Sequence, residues 1–177
     1  MNHFKKSFIP FLFVLTPLSA FAFSSESPQV NNAQIVTVLK TANSGEIELA
    51  SHAKMHASST KVKNFAKMMI KDHTQSNQDL NKFNDKLDVF NDENNVSADL
   101  QDVEKTELIR LRSLKGKKYD QEYMQSQIKM HQMVLSSIDN TLLPQVTNEE
   151  LKTLLGKTRE AVATHLNRAK EIADALH

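Results

Sequence analysis

Apolar residues recur every three or four positions along almost the whole of this chain, from about residue 32 to about residue 176. That spacing places them on one face of an α-helix, whereas a half-buried strand alternates apolar and polar residues. Interruptions are rare because the 177 residues include only 3 Gly and 4 Pro. This scarcity disfavours a turn-rich sandwich or barrel, and the pattern predicts an all-α protein built from a few long helices.

The periodicity divides into four long helices and one shorter helix. We expect the long helices over about 32–57, 58–91, 120–141 and 147–176. The shorter helix, over about 97–114, lies inside the connection between the second and third long helices. Thr147 and Glu150 have the spacing of a capping box at the start of the last helix. The chain therefore predicts a four-helix bundle with a long crossover that contains an additional short helix.

The first 22 residues have the pattern of a secretory signal peptide. Lys5 and Lys6 precede an apolar run, and Ala20-Phe21-Ala22 supplies the small residues of a cleavage site. The run is shorter than the about 20 apolar residues of a transmembrane helix, so we expect an exported chain, periplasmic or extracellular, without a membrane span after cleavage. The predicted boundaries are a signal peptide at 1–22, a disordered lead-in at 23–31 and a helical bundle domain at 32–177.

Composition excludes several classes of function. The chain has no Cys, which rules out disulfides, thiolate metal sites and a cysteine nucleophile. Its 22 basic and 21 acidic residues give a net charge of +1, which lacks the basic excess that binding to nucleic acid requires. We find neither a Gly-rich phosphate loop nor a nucleophile elbow, and no feature identifies a protein partner.

Four polar residues interrupt the apolar stripes, one in each long helix: Glu46, His73, His131 and His165. We call this set the polar layer. If the crossover returns the chain to its starting end, so that the second and third long helices run parallel, the four residues fall within roughly 3 Å of one another in height. A simple up-down arrangement would separate them. We therefore expect the four side chains to meet inside the bundle.

Several segments resemble a known family of exported bacterial proteins, the domain-of-unknown-function family numbered four-one-four-two, often labelled putative outer membrane proteins. The Met69 to His73 segment, with its Met-x-x-Asp-His pattern, is the most specific of them. The resemblance extends over about residues 34–175. The segments that carry it are Gly45–Ala50, Val62–His73, Tyr119–Tyr123, His131–Gln132 and His165–Ala169.

This resemblance implies a ferritin-like bundle and an exported protein, but no established reaction. The recurring Glu, Asp-His, His and His positions of the family match Glu46, Asp72-His73, His131 and His165 here. The helical periodicity does not support the outer-membrane label, because a membrane barrel needs alternating segments of about ten residues.

One carboxylate and three imidazoles are suitable ligands for zinc, iron, manganese or copper, and three His ligands leave one coordination position open. Asp72, Gln127 and Thr158 are candidates to orient these ligands. A di-iron oxidase is disfavoured, because no Glu in the chain has a His three residues later.

Two other residue sets also contain metal-ligand types. Met69 and Met124 precede layer histidines and could favour copper(I), although Met more often fills a core. His52 and His56, one helical turn apart with Glu48 nearby, could hold a metal at the surface, although a solvated helical face is the simpler interpretation.

Two functional hypotheses therefore stay open. In the first, the protein is a non-catalytic envelope or stress-related module whose polar layer serves only its structure. In the second, it is a metal-binding or metal-dependent redox protein that uses Glu46, His73, His131 and His165 as ligands.

Overall fold

The computed structural model describes residues 29–87 and 92–176, with the side chain of Leu87 excepted. The predicted signal peptide, most of the predicted lead-in and the predicted end of the second helix at 88–91 lie outside the described residues. Within them the chain is all helical, without a strand. No described helix is both long enough and apolar enough to span a membrane.

Four long helices and a shorter one form a helical bundle. A π-helical segment, Ile138–Leu142, and a short helical turn, α5, Leu143–Gln145, follow the fourth helix. The other helices are α1, Asn32–His56; α2, Thr60–Leu87; α3, Asn95–Arg112; α4, Gly116–Ser137; and α6, Glu149–Asp174.

One end of the bundle brings together the α1–α2 turn and the start of α4. The carboxylate of Asp120 accepts hydrogen bonds from the backbone N–H groups of Ser58 and Ser59, at 2.8 and 2.7 Å. The end of α6 lies at the same end of the bundle, where the Gln121 side chain donates to the carbonyl of Leu176 at 3.4 Å. Both α2 and α4 therefore start at this end, whereas α1 and α6 finish there.

The opposite end confirms these directions. Lys86, near the end of α2, pairs with Glu150 at the start of α6. Arg159 of α6 forms two hydrogen bonds with Asp139, which follows α4. Helices α2 and α4 are therefore parallel, and the connection between them returns the chain along the outside of α1, as the alignment of the polar layer required.

The return connection ends at a glycine, the first residue of α4. After α3 ends, Gly116 adopts φ +62°, a left-handed conformation that is unfavourable for residues with a Cβ. The observed helix boundaries differ from the predicted ones. Helix α3 begins at Asn95, two residues before Ser97, and α4 begins at Gly116 instead of Asp120.

Asparagine caps three of the helices. Asn31 and Asn94 form capping boxes with the third residue of α1 and α3. Asn148 caps α6 by accepting from the N–H groups of Glu150 and Leu151. The predicted capping box of Thr147 with Glu150 is therefore wrong, because the capping residue is Asn148, one residue later. The Thr147 hydroxyl instead accepts a hydrogen bond from the Asn32 side chain.

Two residues depart from the apolar spacing of their helices. On α3, Val103 keeps the spacing of the buried Leu100 but is 41% exposed, whereas Glu104 is only 8% exposed, so the face that packs on α1 includes an acid. On α1, His56 keeps the spacing of the buried Leu49 and Ala53 but is exposed. His56 is the last residue of its helix, where the bundle no longer covers the stripe.

The apolar core consists of two clusters. The cluster near the α1–α2 turn includes Phe65, Met69, Tyr123 and Met124. The cluster at the opposite end includes Leu39, Phe83, Ile138 and Leu155. Along each long helix the buried residue of the polar layer separates residues of one cluster from residues of the other, as Glu46 does between Leu39 and Leu49, so the layer lies between the clusters.

Candidate metal centre

Three helices bring their histidines together at mid-bundle. His73 comes from α2, His131 from α4 and His165 from α6, and all three side chains are buried. Their ring centroids are 5.4 to 6.3 Å apart. Each histidine offers one ring nitrogen to the group, and these three nitrogens lie within 4.8 Å of one another. We call these residues the three-His cluster.

A hydrogen bond fixes the orientation of His73. Its Nδ1 lies 2.8 Å from Oδ1 of Asn43 on α1. The amide nitrogen of Asn43 already donates to the side chains of Ser76 and Asn77, both at 2.9 Å. The Asn43 oxygen therefore accepts, His73 Nδ1–H donates, and Nε2 of His73 carries the lone pair.

The other two histidines follow the same pattern. His131 Nδ1 lies 2.8 Å from the backbone carbonyl of Gln127, which can only accept. His165 Nε2 lies 3.1 Å from the carboxylate of Asp72, which also accepts. The remaining nitrogens are therefore lone-pair acceptors: Nε2 in His131 and Nδ1 in His165.

These remaining nitrogens have no hydrogen-bond partner among the described residues. All three, His73 Nε2, His131 Nε2 and His165 Nδ1, are inaccessible to solvent. Buried polar atoms are rarely left unpaired, because they lose their hydrogen bonds to water and gain none in the protein. In metal-binding histidines, one ring nitrogen holds the metal and the N–H of the other donates to an acceptor in the protein. The three rings here have their N–H groups paired in this way.

Burial keeps the three rings neutral at neutral pH. Desolvation lowers the pKa of His73 to about 3, with the positive charges of protonated His165 and His131 adding to the effect. Desolvation also lowers the pKa of His131 to about 4, against the opposing hydrogen bond to Gln127. The pKa of His165 is lowered by burial in the same way, although Asp72 partly offsets it. Neutral imidazole is the form that binds metals.

Glu46 lies beside the cluster, outside the nitrogens that could share an ion. Its Oε1 is 3.7 Å from Nδ1 of His131, on the side of the ring that donates to Gln127. Its Oε2 accepts a hydrogen bond of 2.8 Å from the Gln127 side chain. Burial raises the pKa of Glu46 to about 7, against the opposing effects of Gln127 and His165.

Two cavities border the cluster. A space of about 20 Å³ is lined by Glu46, His73 and His131, by the polar Asn43 and Thr158, and by apolar side chains of the bundle. It is large enough for one water molecule or ion. A larger cavity of about 150 Å³ lies between α2 and α6 and reaches His73, His165 and the partly exposed Asp72.

The other residues named from the sequence have different positions. Asp72 holds His165 through its carboxylate, whereas Gln127 holds His131 through its backbone carbonyl and donates from its side chain to Glu46. The Thr158 hydroxyl donates to the carbonyl of Leu154 in its own helix. Met69 and Met124 are buried in the apolar cluster near the α1–α2 turn.

Asn43 is the partner that the sequence reasoning missed. It precedes Glu46 by three residues and therefore lies on the same face of α1. That spacing is the signal that could have identified it.

Comparison with known proteins agrees with the resemblance in the sequence. No curated protein and no solved structure matches the chain. The family model described as Domain of unknown function (DUF4142) matches residues 19–172, which is most of the chain. The protein therefore belongs to the DUF4142 family.

Proposed function

We propose that this protein binds a transition-metal ion through His73, His131 and His165. The observation that carries the proposal is the set of three buried ring nitrogens without partners, one from each histidine. A shared ion would accept a lone pair from each of them and would remove three unsatisfied groups at once. The hydrogen bonds from the opposite ring nitrogens support this use, because they fix the protonation that metal binding requires.

The structural hypothesis explains these contacts less well. A polar layer that serves only packing is expected to give each buried donor and each buried acceptor a partner. Here all three N–H groups donate outward, to Asn43, Gln127 and Asp72. The structural layer, in an envelope or stress-related module, remains the alternative that the experiments below test.

The ligand chemistry narrows the choice among zinc, iron, manganese and copper. Three neutral imidazoles favour Zn²⁺ or Cu²⁺, whereas manganese prefers carboxylates. Glu46 is not part of the group whose ligand atoms lie within 4.8 Å of one another, and its Oε1 lies 3.7 Å from Nδ1 of His131, so we assign it to charge compensation and orientation instead of direct coordination. This changes the role predicted for Glu46 from the sequence.

Three protein ligands leave a fourth position on a tetrahedral ion. The cavity between α2 and α6 reaches two of the three histidines and is large enough for a small molecule. We propose that water or a small ligand takes this position through that cavity. Asp72 has two roles in this proposal: it lines the cavity through which the small ligand enters, and it orients the ring of His165.

We also propose that the bundle is of the ferritin-like type and that the protein is exported. Parallel α2 and α4, joined by a connection that carries α3, support the first proposal. The pattern of residues 1–22 supports the second. Mass spectrometry of exported material should find a chain that begins near Phe23, and an uncleaved chain would contradict the export proposal.

Metal analysis of untagged protein tests the metal proposal. We expect about one ion per chain, or uptake of about one Zn²⁺ by metal-free protein. His73→Ala should abolish binding, and the milder His165→Gln should weaken it if the first variant folds poorly. Gln75→Ala, which removes an exposed side chain from the same helix and belongs to neither cluster of histidines, is the matched control and should retain the ion.

Thermal unfolding provides a second measurement. At a free Zn²⁺ concentration of about 100 times Kd, binding should stabilise the fold by about 2.7 kcal/mol. Metal-free protein that binds no Zn²⁺, Cu²⁺ or Fe²⁺, and whose unfolding does not respond to these ions, would overturn the metal proposal in favour of a structural layer.

A further inference from the structure

A second group of metal-ligand side chains lies at the end of α1, remote from the three-His cluster. His52, Met55 and His56 occupy positions i, i+3 and i+4, which places them on one face of the last helical turn. The rings of His52 and His56 are stacked, with centroids 4.2 Å apart and planes inclined by 24°.

Met55 is unusual in its exposure. Its side chain is 69% exposed, although a methionine normally contributes its apolar surface to a core. The thioether at this position is therefore accessible next to two imidazoles. Thioether and imidazole together are soft ligands that select Cu(I) over hard cations such as Mg²⁺ or Ca²⁺.

The surroundings of His52 prepare one of its nitrogens for binding. Nδ1 of His52 lies 2.8 Å from the hydroxyl of Tyr119, a buried residue of α4. The contact holds the ring in either tautomer, because the hydroxyl can donate or accept, and in the tautomer with Nδ1–H the outward Nε2 has the lone pair that a metal ion needs. His56 is exposed and can adjust its rotamer to complete the site.

Local electrostatics favour a cation of low charge. The site lies at the C-terminal end of a long helix, where the helix dipole favours positive charge. Arg112 is close enough to lower the pKa of His52, after the larger effects of burial and of His56. A neighbouring guanidinium disfavours a divalent ion more than a monovalent one.

We propose that His52, Met55 and His56 form a surface site for Cu(I). The site is independent of the three-His cluster, so it stands whether or not the central metal proposal is correct. It involves coordination alone, without a change in the oxidation state of the metal.

Silver(I), a redox-inert monovalent ion with similar ligand preferences, is the probe for this site. Untagged protein with ¹³C-labelled methionine methyl groups is titrated with Ag⁺ in chloride-free buffer and followed by NMR. We expect the Met55 methyl signal to shift with saturation, together with the ring signals of His52 and His56. Met55→Leu should weaken Ag⁺ binding at these rings by at least about tenfold while the fold is unchanged.

Three further variants separate this site from Ag⁺ binding elsewhere on the protein and from a divalent site at the same turn. Met133→Leu removes another exposed methionine, from α4, and should bind Ag⁺ as the wild type does. His73→Ala should leave the Met55 shift unchanged, because the central cluster is separate. Glu48→Gln tests whether the turn instead holds a divalent ion through Glu48, His52 and His56. This variant should bind Ag⁺ as the wild type does. An unshifted Met55 methyl at saturating Ag⁺, or equal Ag⁺ affinity of Met55→Leu and wild type, would overturn the proposal.

Discussion

Replacing Glu104 by Gln should stabilise this protein at neutral pH. Glu104 lies on α3 with its carboxyl group packed so closely against Gly45 of α1 that a Cβ at residue 45 would clash with it. Its Oε1 is buried without a hydrogen-bond partner among the described residues. Burial, followed by the negative charges of Glu46 and Glu48, raises the pKa of Glu104 to about 8. Glutamine has the same shape but no charge to desolvate.

The size of the effect follows from proton linkage. The ordinary pKa is 4.5, so the unfolded chain loses its proton first, and the folded state binds more protons between about pH 4.5 and about pH 8. Stability therefore falls as the pH rises through this window, by about 1.4 kcal/mol for each pH unit. At pH 7 the full effect is about 3 kcal/mol, and we expect about 2 kcal/mol because the neighbouring pocket partly solvates the carboxylate.

Urea unfolding at about pH 5 and about pH 8 measures this effect. Glu104→Gln should raise the free energy of unfolding more at the higher pH and should flatten its dependence on pH. Glu93→Gln, which neutralises an exposed carboxylate of the same pocket, is the control and should change stability by less than about 0.5 kcal/mol. A Glu104→Gln protein with the pH dependence of the wild type, or with lower stability at pH 8, would refute the reasoning.

Three further substitutions test single contacts by urea unfolding of metal-free protein. Asn43→Ala should cost about 1 to 3 kcal/mol because it leaves the buried Nδ1–H of His73 without an acceptor, and an unchanged midpoint would contradict this hydrogen bond. Asp120→Ala should cost about 1 to 2 kcal/mol because two backbone N–H groups of the α1–α2 turn lose their acceptor, and a loss below about 0.3 kcal/mol would show that water replaces it. Gly116→Ala should cost about 1 kcal/mol through backbone strain alone, since nothing lies within 4 Å of the added Cβ; stabilisation would show that the turn has another conformation.

The sequence was sufficient for the helices and for the three histidines because both depend on periodicity. Helical spacing determines which residues share a face, and the requirement that His73, His131 and His165 meet determines the relative direction of α2 and α4. Neither inference needs the coordinates of any side chain. The resulting prediction of parallel helices agrees with the contacts at both ends of the bundle.

The remaining features depend on choices that periodicity does not resolve. Thr147 and Asn148 are both good capping residues, and only the backbone geometry selects Asn148. Val103 and Glu104 are adjacent, so a rotation of α3 by one residue exchanges the exposed and buried side chains. The position of Glu46 relative to the two nitrogens of His131 depends on the rotamers of both residues.

The placement of the polar layer adds to the argument for a ligand at mid-bundle. Apolar residues at these positions would join the two apolar clusters into one core and would remove the desolvation cost of the buried polar groups. The chain instead retains three neighbouring imidazoles whose N–H groups all donate outward, so the lone-pair nitrogen of each ring is buried without a donor among the described residues. Buried acceptors without a donor cost free energy, so we expect this arrangement to lower the stability of the metal-free protein. An electrophile that accepts all three lone pairs reverses this effect, because the same outward hydrogen bonds then hold the rings in the orientation that binding needs. Stability is therefore expected to depend on the ion itself, which an apolar or self-paired layer does not predict.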